Sequence, residues 1–179
     1  GSTQTPCLLV GGDSGLYEVG TNLSIISDSA GFCPSGMMWV PLSGGFCIDR
    51  YEAYNNAGSA GSLFGQTPWN TISLSGAGSA CTVSGKRLPT PEEWLIAAFG
   101  TPEPAVSPAA CPAGGLVNTG TRSGCTSIFG AYDMIGNIAE WTSDSNVRGG
   151  SWADGTAASR SLEISPGAVD NTIGFRCAR

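Results

Sequence analysis

The chain has 179 residues and a net charge of −6, from eight Lys and Arg against fourteen Asp and Glu, a length that suits one domain with a real core. Charged residues are only 12% of the chain and glycine is 27 of 179, which excludes coiled coils and long charged helices and predicts much loop. The acidic balance, with no basic run, excludes nucleic acid as a partner, and no apolar run nears the ~18 residues of a spanning helix, which excludes membrane insertion by that route. In chain order, residues 1 to about 30 are polar and rich in Gly and Ser. Two β-like pieces, at 16–19 and 23–26, predict an N-terminal extension folded as a packed hairpin. Cys33 and Cys47 then flank two short apolar runs, 37–41 and 44–46, with a turn between them. A short helix is predicted to begin near Asp49-Arg50-Tyr51-Glu52 and to end at Asn55, Asn56 and Gly58; residues 55 to 80 are mostly Ser, Gly, Ala and Asn. The clearest helix start is Leu88-Pro89-Thr90-Pro91-Glu92-Glu93-Trp94, where Thr90 caps, Pro91 suits the first turn and Glu93 completes a capping box. Trp94, Leu95, Ala97 and Ala98 form its apolar face, and Gly100 and Pro102 stop it. Cys111 and Cys125 bracket a Gly-rich loop, and Arg148–Trp152 and Gly174–Cys177 read as strands around a Ser/Ala/Gly/Asp segment.

The absence of histidine removes the usual general base, the commonest metal ligand and every Ser-His or Cys-His pair. Gly12-Asp13-Ser14-Gly15 resembles a protease nucleophile loop but lacks the base that would activate Ser14, so it reads as a polar turn. Gly85-Lys86-Arg87 lacks the earlier glycine and the hydroxyl residue of a phosphate loop. The seven cysteines contain no CxxC pair, so zinc has no ligand set and disulfides are expected. Loop closure predicts Cys33–Cys47 and Cys111–Cys125, each stabilising by about 3 kcal/mol in the entropic model. Cys7 is left over once three pairs form.

Six ordered segments carry a resemblance: Met38-Trp39-Val40-Pro41, Asp49-Arg50-Tyr51-Glu52, 85–94, Tyr132-Asp133-Met134-Ile135-Gly136-Asn137-Ile138-Ala139-Glu140-Trp141, Arg148-Gly149-Gly150-Ser151-Trp152 and Gly174-Phe175-Arg176. Together they resemble the C-type lectin fold of formylglycine-generating-enzyme type over residues 31–179. The resemblance implies an α+β fold with two helices, small twisted sheets, ends brought together and much irregular loop. It also implies a third disulfide, Cys81–Cys177, since the family's enzymes join cysteines at these motif positions; a loop of that length stabilises by about 4–5 kcal/mol.

Fold alone does not assign activity. The family's oxidases hold copper with two cysteines just after the Gly-Gly-Ser-Trp strand, and this chain reads Ala153-Asp154-Gly155-Thr156-Ala157-Ala158-Ser159-Arg160 there. Related sulfoxide synthases hold iron through histidines, which this chain lacks. No enzyme activity and no copper, iron or zinc are therefore expected. In the family's enzymes the run matching Asp133, Gly136, Ile138 and Glu140 wraps calcium, so a structural calcium is the expected cofactor. Pairing of Glu140 with an arginine is the competing expectation. Trp141 and Trp152 read as core or rim anchors, and Arg148 and Arg176 as scaffold partners of Asp49, Glu52 or Glu140.

The C-terminal block at 148–179 resembles the variable region of ligand-binding proteins diversified by retroelements. In those proteins adenines of a template copy are randomised, which turns asparagine codons into a scatter of small and polar residues. The resemblance implies variable contacts at Ala153, Asp154, Thr156, Ala157, Ser159, Ser161, Ser165, Gly167, Ala168, Asp170, Asn171 and Thr172. Glu163 is left out because an asparagine codon ending in a pyrimidine cannot become Glu by adenine changes. Alternation places Leu162 and Ile164 inward, with Ser161, Glu163 and Ser165 outward. The implied function is non-catalytic display of a diversified surface on a virion, cell surface or other extracellular site, the alternatives being a fixed lectin-like adhesive or structural domain and, last, a divergent oxidase of the formylglycine-generating type. The expected partner is a protein or glycan on another cell or particle.

Overall fold

The protein is described by a computed structural model that covers residues 8–12, 15–19, 33–103, 111, 114–154, 164–166 and 168–179. Cys7, Leu23–Ile26, Gly155–Glu163 and Gly167 lie outside the described residues. β1 (Leu8–Gly12) and β2 (Gly15–Val19) pair antiparallel, with Leu8 opposite Val19. β3 (Met37–Val40) and β4 (Phe46–Asp49) form the hairpin expected between Cys33 and Cys47, with Met38 opposite Ile48. β5 (Tyr54–Asn56) and β6 (Ser59–Gly61) make a second tight hairpin.

No helix forms at Asp49–Glu52. Asp49 ends β4, its N–H donates to Cys177 O at 2.8 Å, and the Arg50 N–H donates to Gly36 O at 2.9 Å. Backbone donors already committed to distant carbonyls are not available to open a helix. The first helix is instead α1 (Leu74–Val83), inside the small-residue stretch, capped by Ser73, whose side chain accepts from Gly76 N–H. Ala77, Ala80 and Cys81 are its buried residues, and their small side chains let it lie close on β6. α2 (Pro91–Ala97) starts with both bonds of the capping box: Glu93 N–H to Thr90 Oγ1 at 3.2 Å, and Thr90 N–H to Glu93 Oε2 at 2.8 Å.

The main sheet has the order β10-β7-β8-β9, from β7 (Ala139–Trp141), β8 (Asn146–Arg148), β9 (Ile164–Pro166) and β10 (Ile173–Gly174). β10 lies parallel to β7, and the other two pairings are antiparallel. Beyond β10 the C-terminus threads between β4 and Arg87: Cys47 and Arg179 exchange both backbone bonds, as do Arg87 and Ala178. Cys33–Cys47, Cys81–Cys177 and Cys111–Cys125 are disulfide-bonded. The first two pin both ends of 33–179 to the same neighbourhood. One apolar cluster joins α1 to the main sheet through Cys81, Trp141, Ile173 and Phe175, and another packs α2 through Trp94 against Val40, Ile48 and Met134.

Candidate functional site

Beneath the main sheet the motif residues converge on Arg176, which is fully buried. Its Nε and Nη2 donate to Glu140 Oε2 and Oε1 at 2.7 and 2.6 Å, a bidentate charged pair. Nη1 reaches the Asp49 carbonyl at 3.1 Å and the Arg50 carbonyl at 3.4 Å, and Nη2 also donates to Tyr132 O at 2.8 Å. The Trp94 indole N–H adds a third bond to Glu140, 2.7 Å to Oε2. Glu52 accepts from Asn137 Nδ2 at 2.6 Å and from Ile138 N–H at 3.2 Å. Asp49 is held by Lys86 Nζ at 2.7 Å and by the Cys177 N–H at 3.0 Å. Lys86, part of the 85–94 segment and of the failed phosphate loop, is thus the cationic partner of Asp49. Arg148 pairs instead with Asp144, at 3.5 Å.

Burial governs the charges here. It raises Glu52 well above the usual carboxylate range, with the nearby Asp133 and Glu140 charges acting in the same direction. It pushes Asp133 up to about 6, against the opposing effects of the Gly120 N–H and of Arg176 and Arg122. Asp133 Oδ2 accepts from Gly120 N–H at 2.7 Å, while Oδ1 is buried with no partner.

The carboxylates expected to hold calcium, Asp133 and Glu140, both lie in this buried cluster. Both Glu140 oxygens are committed to Arg176 and Trp94, so of the two expected carboxylates only Asp133 Oδ1 is unshared. Among the described residues no three acidic, Cys or His side chains converge as metal ligands. A hard cation takes six to eight oxygens, and the Arg176 guanidinium already places a positive charge against Glu140.

Within 148–179 the two ends are scaffold. Arg148, Gly149, Gly150 and Ser151 are buried, and so is every residue from Ile173 to Ala178. At Gly174 a Cβ would lie 2.6 Å from the Trp69 carbonyl oxygen, so that close backbone approach requires glycine. Trp141 is buried and donates to Ile72 O at 2.9 Å. Trp152 is half-buried, its backbone N–H donating to Asn137 O at 2.9 Å.

Between those ends Ala153, Asp154, Ala168, Asp170 and Asn171 are exposed and Thr172 is half-buried. Ser165 and Ile164 lie in β9, opposite Val147 and Arg148. Thr156, Ala157, Ser159, Ser161, Leu162 and Gly167 fall outside the described residues. Two of the exposed positions hold turns: Asp154 Oδ2 accepts from Ser151 N–H at 2.6 Å, and Asp170 Oδ1 accepts from Thr172 N–H at 2.6 Å. Among the described residues, Asn171 is tied through its carbonyl, to Asn70 Nδ2 at 2.8 Å, and Thr71 N–H reaches Asp170 O at 3.0 Å. The 66–71 segment is therefore a fixed wall beside the exposed loop. Sequence reasoning missed it because its small and amide residues carry no periodic signal.

The model of the "Sulfatase-modifying factor enzyme 1-like domain" matches residues 106–179. The chain is 29% identical over 184 residues to "Inactive C-alpha-formylglycine-generating enzyme 2" of Mus musculus, covering 81% of this chain and 58% of the mouse protein. It is likewise 29% identical over 181 residues to the Bos taurus protein of that name, covering 79% and 58%. The chain thus spans little more than half the length of these relatives. The solved "Major Tropism Determinant I1 Variant" superposes with a TM-score of 0.62 at 22% identity, covering 91% of this chain and 55% of that one. The chain therefore has an α+β fold of C-type lectin-like type, and its residues 106–179 match the sulfatase-modifying factor enzyme 1-like domain.

Proposed function

We propose that this chain is a non-catalytic ligand-binding display domain whose exposed C-terminal surface is diversified by a retroelement. The observation that carries the reading is the division of 148–179: buried ends anchored by Arg176 and the Cys81–Cys177 disulfide, and between them exposed small and polar positions such as Ala153, Ala168 and Asn171. A scaffold divided in this way tolerates change where a partner would touch. The likeness to a tropism determinant and to inactive relatives of the oxidase supports recognition over chemistry. So does the sequence, which lacks histidine and has no cysteine after the 148–152 segment until Cys177. The partner is a protein or glycan on another cell or particle. Three disulfides support a site outside the reducing cytosol, on a virion or cell surface; no helix among the described residues is long and apolar enough to cross a membrane.

Sequencing the DNA that flanks the gene tests this. The expected result is a reverse-transcriptase gene and a near-copy of the segment encoding 148–179, differing from it at adenines of the copy. Flanks without such a copy overturn diversification and leave a fixed adhesive domain.

A further inference from the structure

A cleft of about 330 Å³ opens between the β5 strand and the 66–70 segment, lined among others by Tyr54, Asn55, Gln66, Trp69 and Asn70. We propose that it binds one or two rings of a neutral pyranoside, held between the aromatic rings and the side-chain amides. The proposal deepens the binding reading above and rests on it only for the existence of a partner; the cleft's walls lie outside 148–179.

Charge excludes most other ligands. No lining residue is ionisable near neutral pH in a chain of net charge −6, so an anionic or cationic ligand meets no counter-charge. Polarity excludes an apolar one. The Gln66 amide, Asn55 Nδ2, Asn70 Oδ1, the Tyr54 hydroxyl and the Trp69 indole N–H make no hydrogen bond among the described residues, whereas Asn55 Oδ1 and Asn70 Nδ2 are used by Gly58 N–H and Asn171 O. Covering those free groups with hydrocarbon would leave them unsatisfied. A sugar hydroxyl both donates and accepts, as this mixed set requires. The same ring presents C–H edges suited to the π faces of Trp69 and Tyr54.

The walls are set before any ligand arrives. Trp69 packs on the buried Phe175 ring at 5.7 Å, and its backbone N–H donates to Ala53 O at 2.7 Å. Gln66 and Thr119 are cross-bonded: Gln66 N–H to Thr119 Oγ1 at 3.0 Å, and Thr119 N–H to Gln66 O at 2.8 Å. Tyr54 lies across Gly61, where a Cβ would come within 2.3 Å of its ring. Preorganised walls reduce the entropy lost on binding, and the volume lies at the small end of ligand sites, which begin near 300 Å³.

The test is a proton–nitrogen NMR titration of the full chain with methyl β-D-glucopyranoside, methyl β-D-galactopyranoside, methyl α-D-mannopyranoside and N-acetylglucosamine, with glucuronate as the charged control. At least one neutral sugar should move the Trp69 indole and the Gln66 and Asn70 amide signals, saturating at millimolar concentration. Trp69→Ala should weaken it by about tenfold or more. Gln66→Ala, which leaves the core contact intact, should weaken it in a chain that still folds. Unmoved cleft signals with all four sugars, glucuronate binding more tightly than the neutral sugars, or undiminished binding by Gln66→Ala would each overturn the proposal. A cleft that takes no sugar in a gene flanked by the expected copy leaves the display reading standing. Sugar binding without that copy removes diversification and keeps the cleft.

Discussion

Arg176 brings five N–H donors into a place with no exposed surface, and Glu140 together with the carbonyls of Asp49, Arg50 and Tyr132 accepts all five. A lysine keeps the charge but cannot reproduce that fork. Arg176→Lys should therefore destabilise the protein by about 3–5 kcal/mol, the scale for breaking a buried pair; urea denaturation showing a change under about 0.5 kcal/mol would contradict it. Asp133 adds a dependence on pH. Its folded-state value of about 6 lies above its ordinary 3.8, so between about pH 4 and 6 the folded state holds a proton that the unfolded chain has released. Stability should fall as pH rises through that window, by up to about 3 kcal/mol, and level out above it. Glu52, raised in the same direction, adds to the trend. Asp133→Asn, which keeps an oxygen for the Gly120 N–H, should flatten the slope and stabilise the protein above about pH 6; an unchanged slope would contradict the assignment. With Glu140 committed to Arg176, chelation and calcium readdition should leave the melting temperature where it was. A rise of several degrees with calcium would show that Glu140 leaves Arg176 for the ion.

At the scale of elements, α2 was legible because its signals are local. Thr90, Pro91 and Glu93 stand at fixed offsets, and both capping bonds form. Burial pushes Glu93 up, but the bonds from Arg87 at 2.7 and 2.5 Å and from the Thr90 N–H outweigh it, holding its carboxyl below the usual range. Thr90→Ala should cost about 1 kcal/mol in thermal or chemical unfolding, and no loss at all would deny the cap its role. The β3–β4 hairpin was legible for a similar reason, as two apolar runs between cysteines that meet. α1 was not, because seven of the ten residues of Leu74–Val83 are Ser, Gly, Ala or Thr and its helicity comes from packing on β6 rather than from propensity. The expected helix at Asp49 failed by the converse route: Asp49 and Arg50 spend their backbone donors on Cys177 and Gly36, contacts invisible in a local window. The Cys81–Cys177 bridge, closing 96 residues, came only through resemblance, since loop closure alone does not select it.

Across the whole molecule, the C-terminal block serves two ends that its sequence blends. Gly174, Phe175, Arg176 and Cys177 lock the chain to β4, α1 and β7, while Ala153, Asp154, Ala168, Asp170 and Asn171 are exposed. The sequence texture marked the outward positions but not the load carried by Asp154 and Asp170, whose side chains close turns at 2.6 Å and so resist change more than Ala153, Ala168 or Asn171. Turn-closing bonds of this kind depend on geometry two or three residues away, which composition does not reveal. The Asp133-to-Glu140 run shows a similar gap: the run is local, but the partner of Glu140 lies 36 residues on, in Arg176. The proposed function rests on the division of this one block into replaceable exposed positions and scaffold positions. It is tested most directly by two displayed libraries scored for resistance to protease. One randomises Ala153, Ala168 and Asn171, and the other randomises Ile173, Phe175 and Arg176. Most members of the first should remain folded and nearly all of the second should be lost, because truncating buried side chains of this size costs about 2–5 kcal/mol and exposed changes under about 0.5 kcal/mol. A first library that unfolds as often as the second would contradict the claim.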